Sequence, residues 1–302
     1  MQLLKILQSA ILIFVTTIIP SIGLSIERPI ILTTLNKTST LNQELLEKTN
    51  QFLNTKFSHK HIKFSGNGLV NHQTYQLIVG KKELDKISEK AALNIISYIT
   101  KLECEEYISS HPLINNTICI QFEQPLKHYI NLSKSIYPER KDIITLLSDT
   151  HITTKETDLY CYLNEIKFIY VDEKGALNLK ELRRVLGQDS VFIMLPLPGL
   201  YNQNNIQEIL INSYHKKTPV IAFSTSLTRA GATISLHSST EQIAKQIANI
   251  IHEHYTLKDT FKDKKILEPD NFEISTNERV IKSIGSIPPD KKDIVRIKEL
   301  IR

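Results

Sequence analysis

"SVFIMLPLPGLYNQNNIQEILINSYHKKTPVIAFSTS", Ser190 to Ser226, sets two short apolar runs, Val191 to Leu195 and Pro219 to Phe223, on either side of a polar break and a longer segment. Ile206 to Tyr214, inside that segment, carries apolar residues at helical steps, while the flanking runs have the length and β-branched content of buried strands. Strand, helix, strand in this order implies two parallel strands joined by a crossover. Ligands of an open parallel sheet bind beyond the C-terminal ends of its strands. The polar break "PLPGLYNQNN" and the turn "FSTS" fall at such ends.

The same alternation runs through the rest of the chain. Strands are expected at Pro29 to Leu35, Tyr75 to Val79, Thr117 to Phe122, Ile143 to Leu147, Phe168 to Val171, Val191 to Leu195, Val220 to Phe223 and Thr233 to Leu236. Helices are expected at Leu41 to Leu53, Asp85 to Leu102, Pro125 to Ser135, Leu179 to Leu186, Ile206 to Tyr214 and Glu241 to His254. The fold class is therefore α/β with parallel sheets covered by helices. Two more strand ends, "FEQP" after the Thr117 run and "SDT" after the Ile143 run, join the candidate binding loops.

Length and composition narrow the function. At 302 residues and 41% hydrophobic, the chain can bury one large core or two ordinary ones. Its formal charge of +5 is spread among interspersed lysines and acids, so no basic stripe points to nucleic acid. The N-terminal "MQLLKILQSAILIFVTTIIPSIGLS" has one lysine, an apolar stretch from Ile6 to Ile19, and then Pro20, Gly23 and Ser25. That is the layout of a secretory signal cleaved after Ser25, with an uncleaved anchor as the alternative. Of three cysteines, Cys104 and Cys119 could close a loop in an oxidising compartment, although buried free thiols are the plainer reading, and Cys161 is left over.

Ser224, Thr225 and Ser226 supply hydroxyls and backbone N–H groups suited to a carboxylate or polar molecule, or they form an ordinary turn. Arg229 can pair a carboxylate with two parallel hydrogen bonds, or sit solvated on the surface. Tyr201 offers a flat face and a hydroxyl, or packs on its own loop. Asn202 belongs to the same loop, where asparagines also serve as helix caps. Gln124 and Asp149 stand at the other strand ends, Asp149 with capping as its competing role. The pairs His59/His61 and His252/His254 lack a carboxylate or cysteine at ligand spacing, so no metal is expected. No nucleophile elbow, glycine-rich phosphate loop or HExxH motif occurs, so neither enzymatic chemistry nor a cofactor is expected.

Beyond these readings, "LPLPGLYNQNNIQEILINSYHKKTPVIAFSTSLTRAGATISLHSSTEQIAKQIANII", "FEQPLKHYINLSKSIYPERKDIITLLSD" and "NFEISTNERVIKSIG" resemble the substrate-binding-protein family of ABC transporters, in its shorter bacterial branch with the type I periplasmic-binding-protein fold. The resemblance spans roughly Thr117 to Gly285 and implies two Rossmann-like lobes joined by three crossing strands, closing on a ligand between them. It implies crossings near Phe122, His237 and Pro269. Residues 1–25 would be the signal, 26–122 plus 239–268 lobe one, and 123–238 plus 269–302 lobe two. By the same resemblance the chain would be a periplasmic solute-binding component that takes a small polar or anionic molecule, such as an amino-acid-like or other carboxylate ligand, and presents it to an ABC permease or membrane receptor. A ligand-poor adaptor or sensor on the same fold is the alternative. Leu227 stands where relatives often carry an aromatic, which weakens the expectation of stacking at that loop, and Ala222 and Ala244 replace common glycines.

Overall fold

In the computed structural model the described residues are 30–34, 38–57, 62–64, 70–112, 115–148, 166–171, 177–196, 201, 203–257 and 265–301. The expected signal, Asp149, Cys161, His59, His61 and Asn202 lie outside them. Twelve described strands form two six-stranded sheets.

The first sheet is built from β1 (Ile30–Thr34), β2 (Ile62–Phe64), β3 (Thr74–Val79), β4 (Leu93–Ile99), β5 (Thr117–Gln121) and β11 (Ile266–Leu267), in the order β11-β5-β4-β3-β1-β2. All its pairings are parallel. The second contains β6 (Asp142–Ser148), β7 (Ile166–Val171), β8 (Ser190–Ile193), β9 (Val220–Ala222), β10 (Ile234–His237) and β12 (Glu273–Thr276), in the order β12-β10-β9-β8-β6-β7. It too is parallel, except that β12 runs antiparallel to β10 along one edge. The α/β class with mainly parallel sheets is thus confirmed, and the antiparallel edge is an addition.

The helices are α1 (Thr40–Lys56), α2 (Lys101–Ser110), α3 (Leu126–Ile136), α4 (Leu179–Val185), α5 (Gln203–His215), α6 (Thr225–Ala230), α7 (Thr240–Leu257), α8 (Glu278–Ser283) and α9 (Lys291–Ile301), with a 3₁₀ turn at Lys81–Lys86. None among the described residues is long and apolar enough to cross a membrane. Capping chemistry sets several starts. Ser39 accepts from Asn42 N–H at α1, and Ser239 and Gln242 exchange side-chain-to-backbone bonds of 3.4 and 3.0 Å at α7.

One expected helix is wrong. Asp85 to Leu102 divides into part of the 3₁₀ turn, strand β4 and the first residues of α2. Leu93, Ile95 and Ile96 are buried on both faces of a central strand, and such a continuous apolar run shows no period of two. The helix starts only at Thr100, whose hydroxyl caps Glu103 N–H while the Glu103 carboxylate returns to Thr100 N–H at 2.9 Å.

Chain path and packing follow from these elements. The chain leaves the first sheet after β5, builds the second from β6 to β10, and returns through α7, whose Ile243, Ala244, Ile247, Ala248 and Ile251 join Leu45 and Leu53 of α1 in the core against β1, β3, β4 and β5. It adds β11 to the first sheet, then β12, α8 and α9 to the second, where Ile281, Ile297 and Ile301 pack with Tyr129 and Ile130 of α3. Truncating a fully buried residue such as Leu45 would cost about 2–5 kcal/mol. Cys104 of α2 and Cys119 of β5 are joined by a disulfide, so the free-thiol reading fails for this pair. Their spacing across one helix-strand step brings the Cα atoms to 6.1 Å, inside the range a disulfide spans.

Candidate functional site

Three segments connect the sheets: 122–125 after β5, 238–239 after β10, and 268–272 between β11 and β12. Gln124, only 2% exposed, stitches them. Its Nε2 donates to Ser238 Oγ at 2.8 Å, and Ser238 Oγ donates onward to the Asn271 carbonyl at 2.7 Å. Gln246 of α7 adds two bonds to the third segment, to Glu268 O and from Asp270 N–H. The candidate ligand residue Gln124 is thus a buried tie among the crossings, with its Oε1 left unpartnered.

The strand ends on either side of the crossings carry aromatic rings in mutual contact. Tyr98, near the end of β4, lies 6.2 Å from Phe122, the first residue beyond β5. Phe122 meets Phe223, just past β9, edge-on at 6.0 Å, and Phe223 meets Tyr201, in the segment after β8, at 5.3 Å. Two rings come from each sheet, so the relay runs from one set of strand ends to the other. Its partners prefer such tilted and edge-on arrangements. A cavity of about 10 Å³, room for one water, lies among Tyr98, Ile120, Gln121, Phe122, Ser238 and Ile243.

Tyr98 is held in a left-handed conformation, φ 59°, where the β4–β5 register slips between Ile96 and Ile99. A bulge at a strand end re-aims a side chain, and a tyrosine at positive φ costs of order 1–3 kcal/mol that its surroundings must offset. Its buried hydroxyl lies beside Thr240 without closing a hydrogen bond, and burial, with the field of Glu44, raises its pKa. The buried Tyr201 hydroxyl interacts with the Leu195 backbone and likewise closes no hydrogen bond; burial raises its pKa also.

The "FSTS" turn divides its roles. Ser224 caps α6 by accepting from Leu227 N–H at 3.4 Å, so its side chain is engaged locally. Thr225 Oγ1 is 2.8 Å from His237 Nε2, and the other ring nitrogen of His237 is 3.4 Å from Ser235 Oγ. Burial lowers the His237 pKa, opposed by Glu273 on the neighbouring strand. Ser226 and Arg229 are exposed on α6, and Arg229 forms no ion pair among the described residues. Leu227 is buried in the core beneath that helix.

Of the residues singled out from sequence, Tyr201 joins the relay, Gln124 ties the crossings, Ser226 and Arg229 lie on α6, and Ser224 is its N-cap. Tyr98, Phe122 and Phe223 were missed as site residues. Phe122 and Phe223 were visible as the last residues of expected strands, whereas Tyr98 lay inside the wrongly expected helix. His252 and His254 turn out to pack on rings, His252 against Phe57 and His254 against Tyr75.

No protein-family model matches this chain, and no curated protein matches it. Solved structures do. A ligand-free, open substrate-binding protein with adhesive properties from Clostridium difficile superposes with a TM-score of 0.62 at 12% identity, covering 88% of this chain and 98% of that one. A conserved domain protein from Vibrio cholerae gives 0.57 at 15% identity, covering 89% and 98%. An ABC domain from Streptococcus pneumoniae, in complex with L-Trp, gives 0.55 at 10% identity, covering 88% and 97%. Likeness at such identities concerns architecture, and with two mainly parallel sheets joined by three crossing segments, the chain has the type I periplasmic-binding-protein fold.

Proposed function

We propose that the chain is an exported solute-binding protein that captures a small molecule between its two sheets and presents it to a membrane permease of the ABC type. Lobe one is taken as 26–122 plus 239–268, lobe two as 123–238 plus 269–302, and residues 1–25 as the export signal. The observation that carries the reading is the Tyr98–Phe122–Phe223–Tyr201 relay, which joins the strand ends where open α/β sheets bind ligands. Rings contributed from both sides would sandwich a flat apolar face in the closed state only, and that differential contact would drive closure. A polar or carboxylate end of the ligand would be met by Ser226 and Arg229 of α6, with Ser224 contributing through backbone N–H. The described neighbours from C. difficile, a substrate-binding protein, and S. pneumoniae, in complex with L-Trp, support this class of role. The Cys104–Cys119 disulfide supports export to an oxidising compartment such as the periplasm.

One observation favours the ligand-poor adaptor as a second reading: Phe122 and Phe223 touch each other directly, and the cavity beside Tyr98 and Phe122 has room for about one water. Thermal-shift screening against amino acids, sugars and small carboxylates separates the two. Ligand that binds the native state raises stability by RT ln(1 + [L]/Kd), about 2.7 kcal/mol at a hundredfold excess over Kd. Loss of that shift in Phe223→Ala locates the site at the relay, and loss in Arg229→Ala identifies a carboxylate. A panel that moves neither wild type nor variant supports the adaptor.

A further inference from the structure

Glu123 is a partly exposed residue with a buried carboxyl oxygen, in the first crossing segment between Phe122 of the aromatic relay and Gln124 of the hinge stitch. Its Oε1 accepts the Lys101 backbone N–H, at the start of α2, at 2.8 Å; its Oε2 is buried without a partner. Elements of both sheets face it. From α2, beside the first sheet, come the Glu103 carboxylate and the Lys101 ammonium; Glu103 is itself 3.5 Å from Lys81 of the 3₁₀ turn. From α3, on the second sheet, comes the Tyr129 phenol, which donates to Leu236 O at 3.2 Å and feels both Glu123 and Tyr201. No lysine or arginine among the described residues forms an ion pair with Glu123.

We propose that Glu123 couples closure of the two lobes to proton uptake, the lobes coming together with its carboxyl neutral and separating when it ionises. The proposal rests on the reading that the lobes move about the crossing segments. With the sheets as they lie here, taken as the closed arrangement, ionisation would leave the buried Oε2 without a hydrogen-bond donor and with the Glu103 carboxylate nearby. Separation of the α2 and α3 sides admits water to that oxygen and relieves the cost. Burial first, and Glu103 second among the groups that raise it, push the Glu123 pKa from 4.5 up to about 7, against the opposing backbone N–H groups of Lys101 and of Glu123 itself and the Lys101 ammonium. The sign follows: a raised pKa in the closed state makes protonation favour closure, so closure is favoured at low pH and lost as pH rises through about 7. With an ordinary carboxyl in the open state, the closing equilibrium constant falls by about thirtyfold between about pH 5.5 and 8.5.

The test needs no ligand. Small-angle scattering of the purified protein across that range reads the separation of the lobes, and carbon-13 NMR of labelled glutamate reads the carboxyl directly, its Glu123 signal assigned by absence in Glu123→Gln. The expected result is a carboxyl midpoint raised above that of an ordinary glutamate but below the closed-state value of about 7, a radius of gyration that grows with the same midpoint, and Glu123→Gln compact throughout. Glu103→Gln, which keeps a side chain able to cap α2, shifts both midpoints down together. A Glu123 signal that titrates as an ordinary carboxyl overturns the proposal. So does a radius that is flat through a raised midpoint, or one that grows equally in Glu123→Gln. A flat radius leaves the binding reading standing, because the ligand panel tests that independently.

Discussion

Replacing Cys104 and Cys119 together by alanine removes the one cross-link among the described residues, and its cost can be worked from chain geometry. The cysteines are 15 residues apart. Closing a loop of that size lowers the entropy of the unfolded chain by about 2.1 + 1.5R ln 15, roughly 10 cal/mol/K, or about 3 kcal/mol at 25 °C. Both side chains are completely buried against Ile96, Ile99 and Tyr107, so each replacement also leaves a small void worth a few tenths of a kcal/mol to about 1. The expected loss is therefore about 3–4 kcal/mol, which for lobes of this size lowers Tm by roughly 6–15 °C. Urea unfolding followed by circular dichroism measures it, with the oxidised wild type, the reduced wild type and the double variant compared at one pH. Reduction should reproduce most of the loss, since it restores the unfolded chain's freedom while keeping the sulfur atoms. A double variant within about 1 kcal/mol of the oxidised wild type, or a wild type indifferent to reductant, would refute the reasoning.

Three further predictions probe the strand ends and the helices. Tyr201→Phe removes a buried hydroxyl that closes no hydrogen bond, so stability should hold or rise by up to about 1 kcal/mol; a clear loss in urea unfolding would mean the hydroxyl has a partner. Lys217 ends α5 at φ 53° in a Schellman arrangement, with Thr218 N–H on Ser213 O and Lys217 N–H on Tyr214 O, so Lys217→Gly should stabilise by about 0.5–1 kcal/mol, and a loss would contradict the strain argument. His254 lies with Nδ1 3.0 Å from the Tyr75 hydroxyl, and burial holds its pKa below 6.5. The unfolded chain therefore takes up that proton first, and the histidine's contribution is full above about pH 6.5 and lost as pH falls through the folded value. The stability gap between wild type and His254→Gln should shrink on acidification; a gap that is constant or widens would count against the assignment.

Much of the architecture was legible because the second sheet follows simple rules. In β6, β8, β9 and β10 short β-branched runs end at turn residues and are separated by amphipathic helices, and each was placed within a residue or two. The β4 region failed for a physical reason: a strand buried on both faces shows its apolar residues at every spacing, helical ones included. The Thr100-Lys-Leu-Glu103 capping box was the available signal that the helix starts later. The small edge strands β11 and β12 have weak patterns of their own and depend on pairing with β5 and β10. In the candidate site, the hydroxyl-rich turn after β9 was legible, yet its side chains cap α6 and bind His237 while Phe223 faces the other rings. The Phe122–Phe223 contact joins residues far apart in sequence on different sheets, a pairing that no local pattern encodes. Gln124 stood out as a polar strand-end group, but a tie through Ser238 to Asn271 needs all three crossings in place before it can be seen.

The most direct measurement on the central claim is native mass spectrometry of the protein purified gently from its own host, paired with the same measurement on Phe223→Ala. A protein that captures a solute between its lobes should carry a bound small molecule, released on denaturation, that is absent or much reduced in the variant. A wild-type protein that flies at its bare mass, and stays there when incubated with the amino-acid, sugar and carboxylate panel, would contradict the solute-binding account.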